Sequence, residues 1–212
     1  MRFAARRYPI LPLLTLGLGL ACAVFTPAAA ETIVHKSITY FTIGGRTASE
    51  LDQELQRNGP LLKTTGTRHP GATRIKFGGD VTYVEENGVC RISAARVTVT
   101  TKIMLPKWRY RRTADARLGL LWDTLSSDIR RHEERHAEIA RTHARDMERT
   151  LRNLPARGSC KTLQAEVSKI SGQLIQSHDR DQARFDEVEA ANFESRMIRL
   201  LNARLASQKA GK

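Results

Sequence analysis

The segment WDTLSSDIRRHEERHAEIARTHARDM, residues 122–147, decides how the second half of this chain folds. Apolar residues and histidines recur in it every three or four positions, which is the spacing of one face of an α-helix. The same spacing extends to both sides, through Leu118, Trp122, Leu125, Ile129, His132, His136, Ile139, His143, Met147, Leu151 and Leu154. It predicts one long amphipathic helix, which Leu154-Pro155 and Gly158 bring to an end.

A second stripe with the same periodicity follows the break, and it contains Leu163, Val167, Ile170, Leu174, His178, Asp181, Phe185 and Val188. Two long helices joined by a short Pro/Gly turn pack side by side in opposite directions. The sequence therefore predicts an antiparallel pair of long helices, a helical hairpin, over residues 113–208.

Residues 31–112 are richer in β-branched and aromatic residues, with turn-forming residues between the runs. Strand patterns cover TIVHKSITYFT at 32–42, TRIKFGGDVTYV at 73–84 and CRISAARVTVTTKIMLP at 90–106. A capping box at 47–50 opens a short helix after the first strand. We expect an α+β fold, in which an antiparallel β-meander with a short helix packs on the C-terminal helical pair.

The first thirty residues have the features of a secretory signal peptide. A basic start, MRFAARR, precedes the apolar run LPLLTLGLGLACAVF, and Ala28 and Ala30 give the small-x-small pattern of a cleavage site. The run is too short for a membrane span, and no later segment could cross a bilayer. We expect residues 1–30 to be removed, leaving residues 31–212 as a single domain in the periplasm or secreted from the cell.

Two cysteines, Cys90 and Cys160, remain after that cleavage. In an oxidising compartment such a pair generally forms one disulfide. We expect a bond that ties the sheet-rich half to the helical half, and two free thiols are the alternative.

The signal peptide holds three of the 35 basic residues and none of the 22 acidic ones, so the exported chain keeps a net charge of +10. Such a surface suits anionic envelope polymers, lipid headgroups or acidic peptides, and nucleic acid is not expected outside the cytoplasm. The alternative is a solvated surface, because the charge is spread along helices rather than collected in a tail.

His132, Glu133 and His136 form the pattern H-E-x-x-H. At 100° per residue, both imidazoles lie on one helix face, one turn apart, so both can reach one tetrahedral Zn²⁺. The intervening glutamate can then take a proton from a zinc-bound water. Both histidines fall on the apolar stripe, where unpaired rings are costly to bury, and this placement favours metal ligands over structural histidines.

The second helix is expected to supply the third ligand. His143 lies seven residues beyond His136, about 10.5 Å along a straight helix, with no glycine to bend the chain, so we interpret it as an interface histidine. If the turn centres near Arg157, His136 faces His178 across the hairpin. We select His178 as third ligand, with Asp181 as the alternative ligand or as a partner that orients an imidazole. A buried His–Asp network without metal remains open.

These pieces together resemble a bacterial family of unknown function described as predicted secreted zinc-dependent proteases. The similar segments are RHPGATRIKFGGDVTY, the cysteine strand ending in IMLPKW, WDTLSSDIRRHEERH and HDRDQARFD, which span nearly the whole exported chain. The resemblance implies a zincin-like arrangement, with an antiparallel sheet over the metal-bearing helix. His132, Glu133 and His136 match the family motif one for one.

The last helix departs from that family. Many members carry Tyr-Asp followed by Thr-x-His-Gly there; Asp179 matches, but the Thr, His and Gly positions hold Gln182, Arg184 and Phe185. If the family's third ligand is that histidine, this chain has lost it or His178 has replaced it.

The sequence thus predicts an exported zinc-dependent metallopeptidase or related hydrolase that acts on a peptide or protein substrate in the cell envelope. His132, His136 and His178 would hold Zn²⁺, and Glu133 would activate the bound water. The alternative is a non-catalytic basic envelope module whose histidine cluster is structural or a closed metal site. A metal-binding, chaperone-like helical protein is a third and weaker alternative.

Overall fold

The computed structural model describes residues 32–62 and 66–210, so the predicted signal peptide at 1–30 lies outside the described residues. The elements in chain order are β1 (Ile33–Ile43), α1 (Ala48–Asn58), β2 (Ala72–Glu86), β3 (Val89–Trp108), a 3₁₀ turn (Arg111–Thr113), α2 (Ala116–Arg152) and α3 (Cys160–Ala210). The predicted α+β class is therefore confirmed. None of the described helices is long and apolar enough to cross a membrane.

The strand order in the sheet is β1-β3-β2, which is not a meander. Strands β2 and β3 form an antiparallel hairpin, and its turn residues Asn87 and Gly88 both have positive φ, as a tight hairpin turn requires. Strand β1 pairs with β3 in parallel, from Ile33 opposite Thr98 to Ile43 opposite Trp108. The predicted antiparallel meander is wrong at this point.

Burial explains why β3 takes the central position. Its alternate residues are buried from Val97 through Leu105, whereas β1 is exposed along most of its length. The most apolar strand is stabilised where it has a neighbour on each side, and the polar strand is tolerated at the edge. Strand patterns indicate which segments are extended, but they do not indicate this order.

Helix α1 follows β1 and is capped at the predicted residues, although Glu50 reaches back to Arg46 rather than to the N-cap residue Thr47. The Thr47 hydroxyl accepts a hydrogen bond from the Glu50 backbone N–H at 3.2 Å, and the Glu50 carboxylate accepts one from the Arg46 N–H at 2.6 Å. The apolar face of α1 packs with Trp108 and Trp122, so it closes one end of the sheet–helix interface.

Helix α2 lies on one face of the sheet and contacts it through small side chains. Ala140 and Ala144 are fully buried against Val97 and Val99 of β3. Alanines allow close approach of helix and sheet. The histidine stripe recognised in the sequence lies to one side of this alanine face and contacts α3 instead.

Helix α3 packs along α2. Arg196 contacts Asp128 and Gln182 contacts His136, so cross-contacts occur in opposite orders along the two helices. The predicted Cys90–Cys160 disulfide is confirmed and links β3 to the start of α3. These features fix α3 beside the face of α2 that carries the motif histidines.

Candidate metal centre

His132 and His136 project from α2 toward α3, and both are half-buried. Their Nε2 atoms lie 3.0 Å apart. The Oδ1 atom of Asp186, on α3, lies 3.3 Å from Nε2 of His132 and 3.0 Å from Nε2 of His136. Three ligand atoms from two helices therefore converge on one point.

This spacing fits a single cation. Bonds of about 2.1 Å at tetrahedral angles place the ligand atoms of zinc about 3.4 Å apart. The three separations, 3.0 to 3.3 Å, are close to that value. Two imidazoles and one carboxylate are also a donor set that zinc accepts, and they leave a fourth position for a further ligand.

Gln182 fixes how His136 presents its ring. The Gln182 Oε1 atom lies 2.5 Å from Nδ1 of His136, and the amide nitrogen donates to the His136 backbone carbonyl at 3.1 Å. Because an amide oxygen only accepts, Nδ1 must carry the proton. The Nε2 lone pair of His136 is then directed at the cluster, which is the orientation a metal ligand needs.

The electrostatics of the cluster favour a positive charge inside it. Burial raises the pKa of Asp186, but hydrogen bonds from both histidines outweigh that effect and hold the pKa well below its usual range. For His136, burial lowers the pKa, and hydrogen bonds to Asp186 and Gln182 reverse this to a net rise. The cluster thus attracts either a proton or a metal cation between its nitrogens and the carboxylate.

Phe185 forms one wall of the cluster. Its ring stacks on His132 at 4.9 Å between centroids and meets His136 edge-on at 5.0 Å. A large ring here limits how the two imidazoles can rotate and shields them from water.

Glu133 faces the sheet rather than the centre of the cluster. It is 5% exposed, and its Oε2 lies 2.7 Å from the hydroxyl of Thr73 on β2. Desolvation raises the pKa of Glu133, although the Thr73 hydrogen bond and the neighbouring histidines partly oppose it. Gly71 leaves the room for this side chain, because a Cβ atom there would lie 2.8 Å from Oε1 of Glu133.

His178 and Asp181 lie outside the group of converging ligand atoms. His178 is buried, donates from Nδ1 to Asp179 at 2.9 Å and accepts from the Gln182 amide at 2.8 Å. Asp181 contacts His143 at 2.8 Å, in keeping with the interpretation of His143 as an interface histidine. The structure thus brings together His132 and His136, and their third neighbour is a different residue, Asp186.

The register between the helices explains why Asp186 was not selected from the sequence. Counting from a turn centred at Arg157 places His136 opposite His178, but its observed partner is Gln182, four residues farther along α3. The observed pairing is therefore displaced along α3 by about one helical turn from the counted one. The available signal was that Gln182 and Asp186 continue the stripe of His178 at steps of four.

Comparison with known proteins gives one match. The profile of the family described as "Bacterial protein of unknown function (DUF922)" matches residues 38–193, which include β2, β3 and the whole histidine cluster. Neither a curated protein nor a solved structure matches the chain.

Proposed function

Because the chain belongs to the bacterial family of unknown function DUF922, its own site must carry the assignment, and we propose that it is an exported zinc-dependent metallopeptidase or related hydrolase. The observation that carries the proposal is the convergence of His132, His136 and Asp186 within 3.3 Å of one another. When bound, zinc would supply Lewis-acid polarisation of a carbonyl and a lowered pKa for water. We assign Asp186 as third ligand in place of His178.

Glu133 is the residue proposed for proton transfer. Its raised pKa makes the carboxylate a stronger base than an exposed glutamate, closer to the value that acid–base catalysis at neutral pH requires. The Thr73 hydroxyl holds one oxygen, which limits the rotamers of the side chain. In the proposed reaction, Glu133 accepts a proton from the attacking water and returns it to the leaving amine nitrogen.

The edge of the sheet supports a peptide as the substrate class. Strand β2 has β3 as its one neighbour among the described strands, and Thr73 near its start contacts the catalytic glutamate. An extended peptide could pair with the outer edge of β2, a common mode of peptide recognition.

Export rests on the N-terminal signal pattern and agrees with the Cys90–Cys160 disulfide, since such bonds persist in oxidising compartments. We therefore place the activity in the periplasm or outside the cell, with anionic envelope polymers or lipid headgroups as further partners of the basic surface.

A second candidate function is a non-catalytic envelope module with a closed metal site. The burial of Glu133 and its hydrogen bond to Thr73 favour it, because a carboxylate committed to the sheet can serve packing alone. The two candidates differ in the role of Glu133 and in whether the bound metal keeps an open position.

Metal analysis combined with two variants tests the proposal. We expect one zinc per chain in the purified protein, loss of zinc in Asp186→Ala, and zinc retained without peptide hydrolysis in Glu133→Gln. His178→Gln is the matched control and should keep its zinc. A purified protein that does not bind zinc when one equivalent is supplied, or a fully active Glu133→Gln variant, contradicts the assignment.

A further inference from the structure

A second site lies on the other side of α2. A groove of about 940 Å³, here named the basic groove, opens between the ends of β1 and β3 and the first half of α2. The described residues that line it include six basic side chains and one acidic one, Asp123. The basic residues are Lys107, Arg109, Arg111, Arg112, Arg130 and Arg204.

The single acid does not neutralise the groove. Asp123 is engaged by Arg111, which donates from Nε at 2.7 Å and from Nη2 at 2.5 Å. The side chains of Lys107, Arg109 and Arg112 are exposed and form no hydrogen bond or ion pair with the described residues. Their donors are therefore available to a ligand.

The unpaired cations of the groove contrast with several exposed arginines that are paired with acids, namely Arg91 with Glu86, Arg135 with Glu138 and Arg149 with Asp146. In the groove, like charges from β3, the 3₁₀ turn, α2 and α3 face one another across a depression. Such a concave arrangement concentrates a positive field and lowers the free energy of a bound anion.

Neutral donors complete the lining. Ser126, Ser127 and Thr42 contribute hydroxyls, and Arg130 is held in place by donating to the Tyr40 hydroxyl at 2.8 Å. Guanidinium groups and hydroxyls together match a multivalent oxyanion, because guanidinium binds two oxygens at once and hydroxyls bind the others.

The basic groove is separate from the histidine cluster. Arg130 and His132 are two residues apart on α2, so their side chains point about 200° apart around the helix axis. No residue of the groove is among the three converging metal-ligand residues.

We propose that the basic groove binds a phosphate group, either as a free anion or on the headgroup of an anionic lipid. Phosphate satisfies the site better than a carboxylate, since it carries up to two negative charges and more acceptor oxygens for the unpaired donors. The proposal does not depend on the metallopeptidase assignment, and it is tested with a chelator present.

Intrinsic fluorescence provides a direct measurement. Trp108 and Trp122 are the only two tryptophans of the chain, and both line the groove. Titration of the purified protein with inorganic phosphate at constant ionic strength is expected to change their emission in a saturable way. In Arg109→Gln/Arg112→Gln the affinity should fall at least about tenfold, because two charge-assisted hydrogen bonds are lost.

The matched control removes the same charge elsewhere. Arg145→Gln/Arg152→Gln alters two exposed arginines at the far end of α2, which line a different basic depression away from both tryptophans, and should leave the affinity within about twofold. Both variants change exposed side chains that form no hydrogen bond or ion pair with the described residues, and melting curves check that the variants are folded. Equal losses in the two variants, or no saturable change in the wild type, overturn the proposal.

Vesicle sedimentation distinguishes the two sources of phosphate. Binding to vesicles that contain phosphatidylglycerol, but not to phosphatidylcholine alone, together with loss in the Arg109/Arg112 variant and competition by inorganic phosphate, assigns a lipid headgroup. Saturable phosphate binding without vesicle binding assigns the free anion. Vesicle binding that the Arg109/Arg112 variant retains overturns the assignment of this groove.

Discussion

Gln182 is the residue whose replacement tests the histidine cluster most sharply. Replacement by leucine keeps a similar side-chain size, but it removes the acceptor for His136 Nδ1 and the donor for His178 Nε2. Their side chains are 13% and 5% exposed, so water does not readily substitute for the amide. The predicted consequence is a His136 ring that no longer holds its Nε2 lone pair toward the cluster.

The magnitude follows from these two lost contacts. Each buried polar group left without a partner costs about 1–3 kcal/mol, so the metal-free protein is expected to lose about 2–6 kcal/mol in unfolding free energy. Loss of a partner that orients a metal-ligating histidine lowers metal affinity about 10- to 100-fold. Gln182→Glu retains an acceptor for Nδ1 and should bind zinc within about tenfold of the wild type.

Zinc affinity is measured by competition with a chromophoric chelator, and the tautomer of His136 by nitrogen NMR of its ring. The wild type should show a proton on Nδ1, and Gln182→Leu a mixture of tautomers. A Gln182→Leu variant with unchanged zinc affinity and an unchanged tautomer would refute the reasoning that Gln182 orients His136.

Three further predictions concern stability in the absence of metal. Gly71→Ala should destabilise by about 1–3 kcal/mol in urea unfolding, since its Cβ would lie 2.8 Å from Glu133 Oε1, whereas Gly78→Ala, with no atom within 4 Å, should not lose a comparable amount. Replacing both disulfide cysteines by alanine should cost about 4 kcal/mol, the value expected for a cross-link that closes a loop of 70 residues; an unchanged midpoint under oxidising conditions contradicts this. Burial lowers the pKa of His178, so protonation at low pH favours the unfolded chain. The contribution of the neutral imidazole to stability is therefore complete above the ordinary histidine pKa and declines as the pH falls through that value. The difference in unfolding free energy between wild type and His178→Gln should therefore shrink from about pH 7.5 to 5.5, and a difference that grows over this range contradicts the prediction.

Several elements could be predicted from the sequence because they depend on neighbours along the chain. The helix cap at Thr47 and Glu50 needs only residues within four positions; in the structure Thr47 accepts from the Glu50 N–H as predicted, and Glu50 accepts from the N–H of Arg46. The two long C-terminal helices follow from a periodicity repeated over many turns. The Cys90–Cys160 bond was predicted from the cysteine count instead: with the predicted signal peptide set aside, a single pair is possible.

Strand order could not be obtained in this way. The patterns of β1, β2 and β3 indicate extended segments, but the parallel pairing of β1 with β3 is decided by which strand is stabilised most at the centre of the sheet. That choice depends on burial against Ala140 and Ala144 of α2, residues that lie far along the chain.

The candidate site divides in the same way. The approach of His132 to His136 follows from the sequence alone, since helical pitch relates residues one turn apart on a single element. The approach of Asp186 was decided by the tertiary structure, because the register of α3 against α2 depends on where the turn ends and on how side chains such as Gln182 fit between the helices. A shift of one turn in that register changes which residue of α3 faces the two histidines, and no local pattern reports it.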